Sequence, residues 1–402
     1  MKTKLILFLI ILSSLCWQCN NPKPSEKKAL ENKPKVTEKK LKTVGYVAGY
    51  RDFDFSKIQA EKLTHINYAF ANIIDGKVCF GGKTASNEAD LKEDDIKSLH
   101  DLKKINPDLK ILVSVGGWTW STHFSDVALT NSSRKIFAKS AVDFLIEYKL
   151  DGIDLDWEYP NQTGAGNPHR PEDKENFTLL LKEVRKHLDK QSEKDGRPNE
   201  DKYLLTIATG GDQAYVNNTN LGDAQKYLDF INIMTYDAYN GLHTTTGHHA
   251  NLFPANGDPA VKAKGEEVKS ALTSVQGHID AGVPVEKINL GLAFYGRLWK
   301  GVNNSNNGLF QAAETVGMIE YYRILAEQFI DKNGFTRYWD ESARAPYLWN
   351  PDSRIFISYE ETNSIKYKIE YLKEKGLGGV MFWEYTDDYD SQLLDAIYEN
   401  LD

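Results

Sequence analysis

Four carboxylates fall within the run Asp151-Gly152-Ile153-Asp154-Leu155-Asp156-Trp157-Glu158, interleaved with Ile, Leu and Trp. On a strand, alternate side chains share a face. Asp154, Asp156 and Glu158 then line one side, while Ile153, Leu155 and Trp157 face the other. Carboxylates this close repel one another when ionised, so at least one pKa should rise. A carboxyl group that keeps its proton near neutral pH is what general acid catalysis needs. Metal ligation is the competing use, but the run lacks the Asn/Gly-interleaved loop of a calcium site. A solvated turn would not alternate with Ile, Leu and Trp. Asp151 stands off the alternation and reads as a structural group at the start of the strand.

That strand needs neighbours. Seven further candidates are Val44–Tyr50, His65–Ile73, Lys110–Gly116, Tyr203–Ala208, Phe230–Tyr236, Ile288–Phe294 and Gly379–Trp383. Most are continuous apolar runs, as expected of strands covered on both faces. Helical patterns such as Ser133–Tyr148 and Asn176–Leu188 lie between them. Eight strands alternating with helices predict an α/β fold, a (β/α)8 TIM barrel, with a doubly wound sheet as the runner-up. In a barrel, the C-terminal end of the carboxylate strand opens onto the face where active sites form. About 80 residues separate the last two strands, more than one loop and helix need. The stretch of about 296–355 is therefore expected to be a small inserted subdomain, within a barrel domain of 44–402.

The first 43 residues read differently. Lys2 and Lys4 precede the apolar run Leu5–Leu12, which is too short to span a bilayer. Residues 1–19 read as an export signal ending in Cys19, the position that lipoproteins acylate, with Cys16 as the other candidate. Plain secretion and an uncleaved anchor are the alternatives. Residues 20–43 hold eight Lys, three Glu and three Pro and almost no large apolar residue, so they read as a flexible tether. The tether is net +5, which leaves Val44–Asp402 with 39 basic and 54 acidic residues, a net of −15. That charge argues against nucleic acid as a partner. Membrane contact is expected only through the N-terminal lipid, and the chain is expected to be a monomer.

The carboxylate run resembles the Asp-x-x-Asp-x-Asp-x-Glu signature of glycoside hydrolase family 18, the chitinase family. Ser114-Val115-Gly116-Gly117-Trp118 resembles the family's segment on its third strand, and Met234-Thr235-Tyr236-Asp237 that on its sixth. Phe294-Tyr295-Gly296-Arg297 and Gly378-Gly379-Val380-Met381-Phe382-Trp383 resemble those on its seventh and eighth. The five segments keep the family's order across almost all of Val44–Asp402.

The resemblance implies hydrolysis of chitin or chito-oligosaccharides with retention, the substrate's N-acetyl oxygen acting as nucleophile, and no cofactor. Carried over by position, Glu158 is the acid and then the base. Asp156 holds the acetamido N–H, Asp154 shares a proton with Asp156, and Tyr236 bonds the acetamido oxygen. Asp237 binds near Tyr236 and Trp383 forms the floor under the reacting ring. Tyr46, Phe70, Met234, Tyr295 and Arg297 line the central subsite, and Trp118 stacks a sugar on the leaving-group side. The aromatic surplus of 21 Tyr, 17 Phe and 8 Trp would serve such stacking as well as the core. The insertion resembles the α+β insertion that walls a deep groove in one branch of the family, which implies a small α+β insertion subdomain here, several subsites and exo-acting or processive hydrolysis.

One departure stands out. Members of that branch often carry a Trp shortly after Tyr-Asp, whereas here the run is Ala238-Tyr239-Asn240-Gly241-Leu242-His243. The stacking platform is missing or Tyr239 replaces it. An endo-β-N-acetylglucosaminidase of N-glycan cores, a chitin-binding lectin and a peptidoglycan hydrolase are the rival readings. The lectin would have lost the acid at Glu158. His248-His249 invites a metal reading but has no partner at ligand spacing. Cys79 reads as a buried or free thiol.

Overall fold

The computed structural model describes residues 41–81, 93–262 and 268–401. The export signal, Cys19 and the tether up to residue 40 lie outside the described residues.

The strands are β1 (Lys42–Ala48), β2 (His65–Ile74), β3 (Lys77–Cys79), β4 (Lys110–Gly116), β5 (Gly152–Asp156), β6 (Leu204–Gly210) and β7 (Phe230–Met234). They continue as β8 (Ile288–Ala293), β9 (Tyr295–Trp299), β10 (Met318–Tyr321), β11 (Thr336–Asp340), β12 (Ala345–Asn350), β13 (Ile355–Ser358) and β14 (Gly379–Trp383). Eight of them, β1, β2, β4 to β8 and β14, pair in parallel. Val44 pairs with Met381 of β14 on one side and with His65 of β2 on the other, which closes the barrel. The fold is therefore the (β/α)8 barrel and not the doubly wound sheet. β1 begins at Lys42, two residues before the expected start, because Lys42 and Thr43 pair with Gly379 and Val380.

Alternation along the strands separates two environments. Ile66, Ile111, Val113, Ile153, Leu155, Leu205, Ile207, Ile231 and Leu290 face outward and pack with Phe137, Phe177, Leu181 and other helix residues. Each such side chain contributes about 1.5–3 kcal/mol by leaving water. Trp157, 1% exposed, stacks on Phe124 at 5.4 Å and meets Phe177 edge-on. The inward positions instead carry Asn67, Ser114, Asp154, Thr206, Asn232 and Asn289, all fully buried. Part of the barrel interior is thus polar, beside an apolar cluster of Val44, Tyr46, Phe230 and Met381, where most barrels are filled with branched apolar residues throughout.

The helices begin and end on local signals. Thr130 and Ser133 cap the helix Asn131–Glu147 reciprocally, each hydroxyl taking the other's backbone N–H at 3.0 Å. Gly376, left-handed at φ 71°, ends the helix Thr362–Lys375 and turns the chain towards β14.

The second sheet is antiparallel, in the order β10-β9-β13-β12-β11, and runs from Tyr295 to Ser358. Only Phe294 separates β8 from β9, so the sheet grows directly out of a barrel strand. Trp299, Val302, Leu309, Tyr347, Trp349 and Phe356 form its own core. On the barrel side, the Arg51 guanidinium donates to the Tyr321 hydroxyl of β10 at 2.8 Å.

Candidate active site

The carboxylate strand β5 lies between β4 and β6, with Asp154 in register with Ser114 and Thr206. Both hydroxyls donate to it, Ser114 to Oδ2 at 2.7 Å and Thr206 to Oδ1 at 2.5 Å. Tyr46 reaches across the barrel from β1 and donates to Oδ2 at 2.7 Å. A buried carboxylate loses several kcal/mol of hydration even after relaxation. Hydrogen bonds to a charged group return about 1.5–3 kcal/mol each. The two effects are comparable. Burial raises the proton affinity of Asp154, and the three donors partly offset it.

Asp156 has no such compensation. It is 3% exposed, and its Oδ1 has no hydrogen-bond partner. Burial, then the charge of Glu158, then that of Asp154, push its pKa well above the carboxylate range. Glu158 lies just beyond β5 and is 8% exposed. Burial pushes its pKa up to about 7, with the charge of Asp237 adding to the rise and the Tyr159 hydroxyl opposing it. All three carboxyl groups are therefore raised, and Asp156 and Glu158 titrate together.

The backbone at Glu158 is pinned. Ser121 Oγ accepts its N–H at 2.8 Å and has the Gly117 and Asp156 carbonyls as acceptors at 2.8 and 3.1 Å, while Asn167 Nδ2 donates to the Glu158 carbonyl at 3.0 Å. This packing explains the paired glycines after β4. A Cβ on Gly116 (φ 105°) would lie 2.5 Å from the Asp156 carbonyl oxygen, and one on Gly117 (φ 76°) would lie 2.6 Å from the Phe70 ring.

Tyr236 and Asp237 follow β7. Burial and then the charges of Asp156, Asp237 and Glu158 raise the Tyr236 pKa, so its phenol stays a donor. Asp237, at φ 60°, takes two hydrogen bonds from Arg297 of β9. Burial would raise its pKa, but His249 and Arg297 overcome burial and hold it well below the usual range. Tyr295 meets Tyr236 edge-on at 6.0 Å.

Trp383, at the end of β14, stacks on Phe70 at 5.3 Å and lies 5.7 Å from Tyr46. Met234 and Tyr236 join them in one apolar cluster at the barrel mouth. The structure thus gathers Asp154, Asp156, Glu158, Tyr236, Asp237, Arg297, Tyr295, Tyr46, Phe70, Met234 and Trp383 at the C-terminal end of the barrel. Trp118 stands at the rim, 49% exposed and edge-on to Tyr159.

Tyr239 is engaged elsewhere. Its hydroxyl donates to Asp258 at 2.7 Å, and its ring covers Gly247, where a Cβ would come within 2.5 Å. The exposed side chain on that loop is Leu242. His248 bonds Asp340 of β11 at 3.0 Å, and His249 lies with Nδ1 3.6 Å from Asp237. Among the described residues no group of three or more His, Cys, Asp or Glu is arranged to hold a metal. Asp151 takes the Lys103 ammonium at 2.6 Å and the Ile111 N–H at 2.8 Å. Cys79 is half-buried on β3. Thr206, Ser121, Asn167 and His249 were not singled out for the site from the sequence. Only the strand alternation of Thr206 and its register beside Asp154 could have pointed to it.

A closed parallel barrel with raised carboxyl groups in line at its mouth, under an aromatic floor, is the framework of a barrel glycosidase. Residues 42–388 match the model of glycosyl hydrolases family 18, and the chain belongs to that family. It is 40% identical over 415 residues to chitinase A1 of Niallia circulans, covering 90% of this chain and 58% of that protein. It therefore spans little more than half of that relative's length. A family 18 N-acetylglucosaminidase from Paenibacillus barengoltzii superposes with a TM-score of 0.79 at 45% identity, covering 90% of this chain and 99% of the other. A chitinase from Bacillus thuringiensis gives 0.81 at 36%, covering 90% and 70%.

Proposed function

We propose that this chain is a chitinase. It hydrolyses β-1,4 bonds between N-acetylglucosamine units with retention, and the substrate's acetamido oxygen is the nucleophile. The observation that carries this reading is the line Asp154, Asp156, Glu158 with the Tyr236 phenol beside it. Glu158, with its pKa near 7, holds a proton at neutral pH and gives it to the glycosidic oxygen as the C1–O bond breaks. The acetamido oxygen bonds C1 in the same step, forming an oxazolinium ion. Its fixed position supplies the effective molarity that an enzyme carboxylate would otherwise provide. Tyr236 donates to that oxygen and orients it. The acetamido N–H is the partner that buried Asp156 Oδ1 lacks. As positive charge develops on the ring, the single negative charge of the Asp154–Asp156 pair stabilises it. Glu158, now a carboxylate, then takes a proton from water as the water attacks C1.

Trp383, Phe70, Tyr46, Met234, Tyr295, Asp237 and Arg297 line the reacting subsite, and Trp118 meets the sugar beyond the scissile bond. A time course on chitin hexamer with anomer analysis tests the reading. β-Anomers should form first, and E158Q should lose about 10²-fold or more in kcat with its fold intact. Early α-anomers would overturn it. Dimers as the main product fit a walled groove. Single sugars would place the chain with the N-acetylglucosaminidase it resembles.

We further propose that the chain is exported and held at a membrane by a lipid on Cys19. The Lys2/Lys4 and Leu5–Leu12 pattern supports this. C19A should abolish labelling by a fatty-acid analogue and release activity from the membrane fraction.

A further inference from the structure

We propose that Thr206 is a positioning residue of this hydrolysis, the donor that keeps Asp154 the anionic member of the buried carboxyl pair. The inference rests on the hydrolytic reading above. Asp154 pairs with Ser114 on β4 and with Thr206 on β6, so a hydroxyl flanks it on each side. Their division of labour is unequal. Tyr46 and Ser114 both donate to Oδ2, whereas Thr206 donates to Oδ1. Among the described residues no other hydrogen bond reaches Oδ1. Thr206 and Asp154 are both fully buried, so bulk water does not substitute for the hydroxyl.

The consequence concerns where a proton can sit. Each oxygen of Asp154 accepts an O–H, and hydrogen bonds to the ionised form favour it over the protonated one. Asp156, next on the same face, has an unpartnered oxygen instead. The shared proton therefore resides on Asp156, two residues from Glu158, and Asp154 keeps its charge. Without the Thr206 hydroxyl, Oδ1 loses its one donor and the anion is held less strongly. The proton can then move one place back along the strand, away from the reacting groups.

T206V keeps the side-chain shape and removes the donor, while T206S keeps the donor. Loss of one hydrogen bond to a charged group should lower kcat on chitin hexamer by about 10- to 100-fold. KM should stay within about twofold, since Thr206 does not touch substrate. Asp154 would then protonate more readily, so activity that needs its charge is lost at higher pH. The acid limb of kcat/KM should rise by about one pH unit, the equivalent of a tenfold change in proton affinity. T206S should restore both rate and profile. A T206V profile superimposed on the parent's would overturn the proposal, as would T206S impaired as much as T206V. Should T206V fail to fold, T206A carries the same two readouts. A parent enzyme inactive on chitin hexamer would overturn the functional reading itself, whereas an active parent with a normal T206V overturns only the role of Thr206.

Discussion

Arg297 holds the carboxylate of Asp237 with two parallel hydrogen bonds, Nε to Oδ1 at 2.8 Å and Nη2 to Oδ2 at 2.5 Å. This fork-to-fork contact keeps Asp237 ionised beside the reacting groups. It also ties the loop after β7 to the first strand of the second sheet. The retained charge acts on Glu158, where it adds to the effect of burial.

D237N removes that charge and should lower the Glu158 pKa from about 7. Glu158 works as an acid only while protonated, so a lower pKa shortens the active range on its alkaline side. The alkaline limb of kcat/KM on a soluble oligomer should move down by up to about one pH unit. A limb that stays in place or moves up would show that Asp237 does not communicate with Glu158.

Y236F tests orientation of the internal nucleophile. The phenol is kept protonated by burial and by three neighbouring carboxylates. Removing a donor aimed at charge that develops in the transition state costs about 10²–10³ in kcat. Steady-state kinetics should show the loss mainly in kcat. A loss confined to KM would make Tyr236 a binding residue only.

The barrel was legible because the outward faces of its strands are strongly apolar and helices intervene. The carboxylate line was legible because its period of two is visible in Asp154, Asp156 and Glu158. The inner face was harder to read. Asn67, Thr206, Asn232 and Asn289 each break an apolar run by one polar residue, and nothing in the run shows that the breaks meet inside one barrel. The β2–β3 hairpin, turned by Asp75-Gly76 at φ 49° and 76°, was missed although Asp-Gly is a two-residue hairpin signal. Three residues of β3 are too few to carry alternation. The engagement of Tyr239 by Asp258 depends on a contact 19 residues away, which spacing does not reveal.

Lys368 and Glu360, both with fully buried side chains, form an ion pair, and Ser364 Oγ donates to the same carboxylate at 2.6 Å. K368M leaves Glu360 buried without a counter-charge. Loss of one partner of a buried pair costs about 3–5 kcal/mol. Burial already raises the Glu360 pKa, and losing Lys368 raises it further. A group whose folded pKa exceeds its unfolded pKa destabilises the fold at high pH and is relieved once the group protonates. The urea midpoint of K368M should therefore fall more at about pH 8 than at about pH 5. Equal losses at both pH values would mean that Glu360 stays neutral in the parent.

Partly deacetylated chitosan separates charge from chemistry. Val44–Asp402 carries a net of −15, which attracts cationic glucosamine stretches but contributes little with neutral chitin. KM on chitosan should therefore rise with salt, because exposed charges are screened within about 10 Å at 0.1 M. KM on chitin hexamer should change little. Attraction alone does not cut the chain. On the proposed mechanism the nucleophile is the acetamido oxygen of the sugar whose C1 is attacked, and Asp156 and Tyr236 hold that group. Every new reducing end should therefore carry an acetyl group, however sparse acetylation is elsewhere. Mass spectrometry of the products reads this directly. Deacetylated reducing ends at a comparable rate would mean that water or a side chain attacks C1 unaided, and the roles given to Asp156 and Tyr236 would fall with the mechanism.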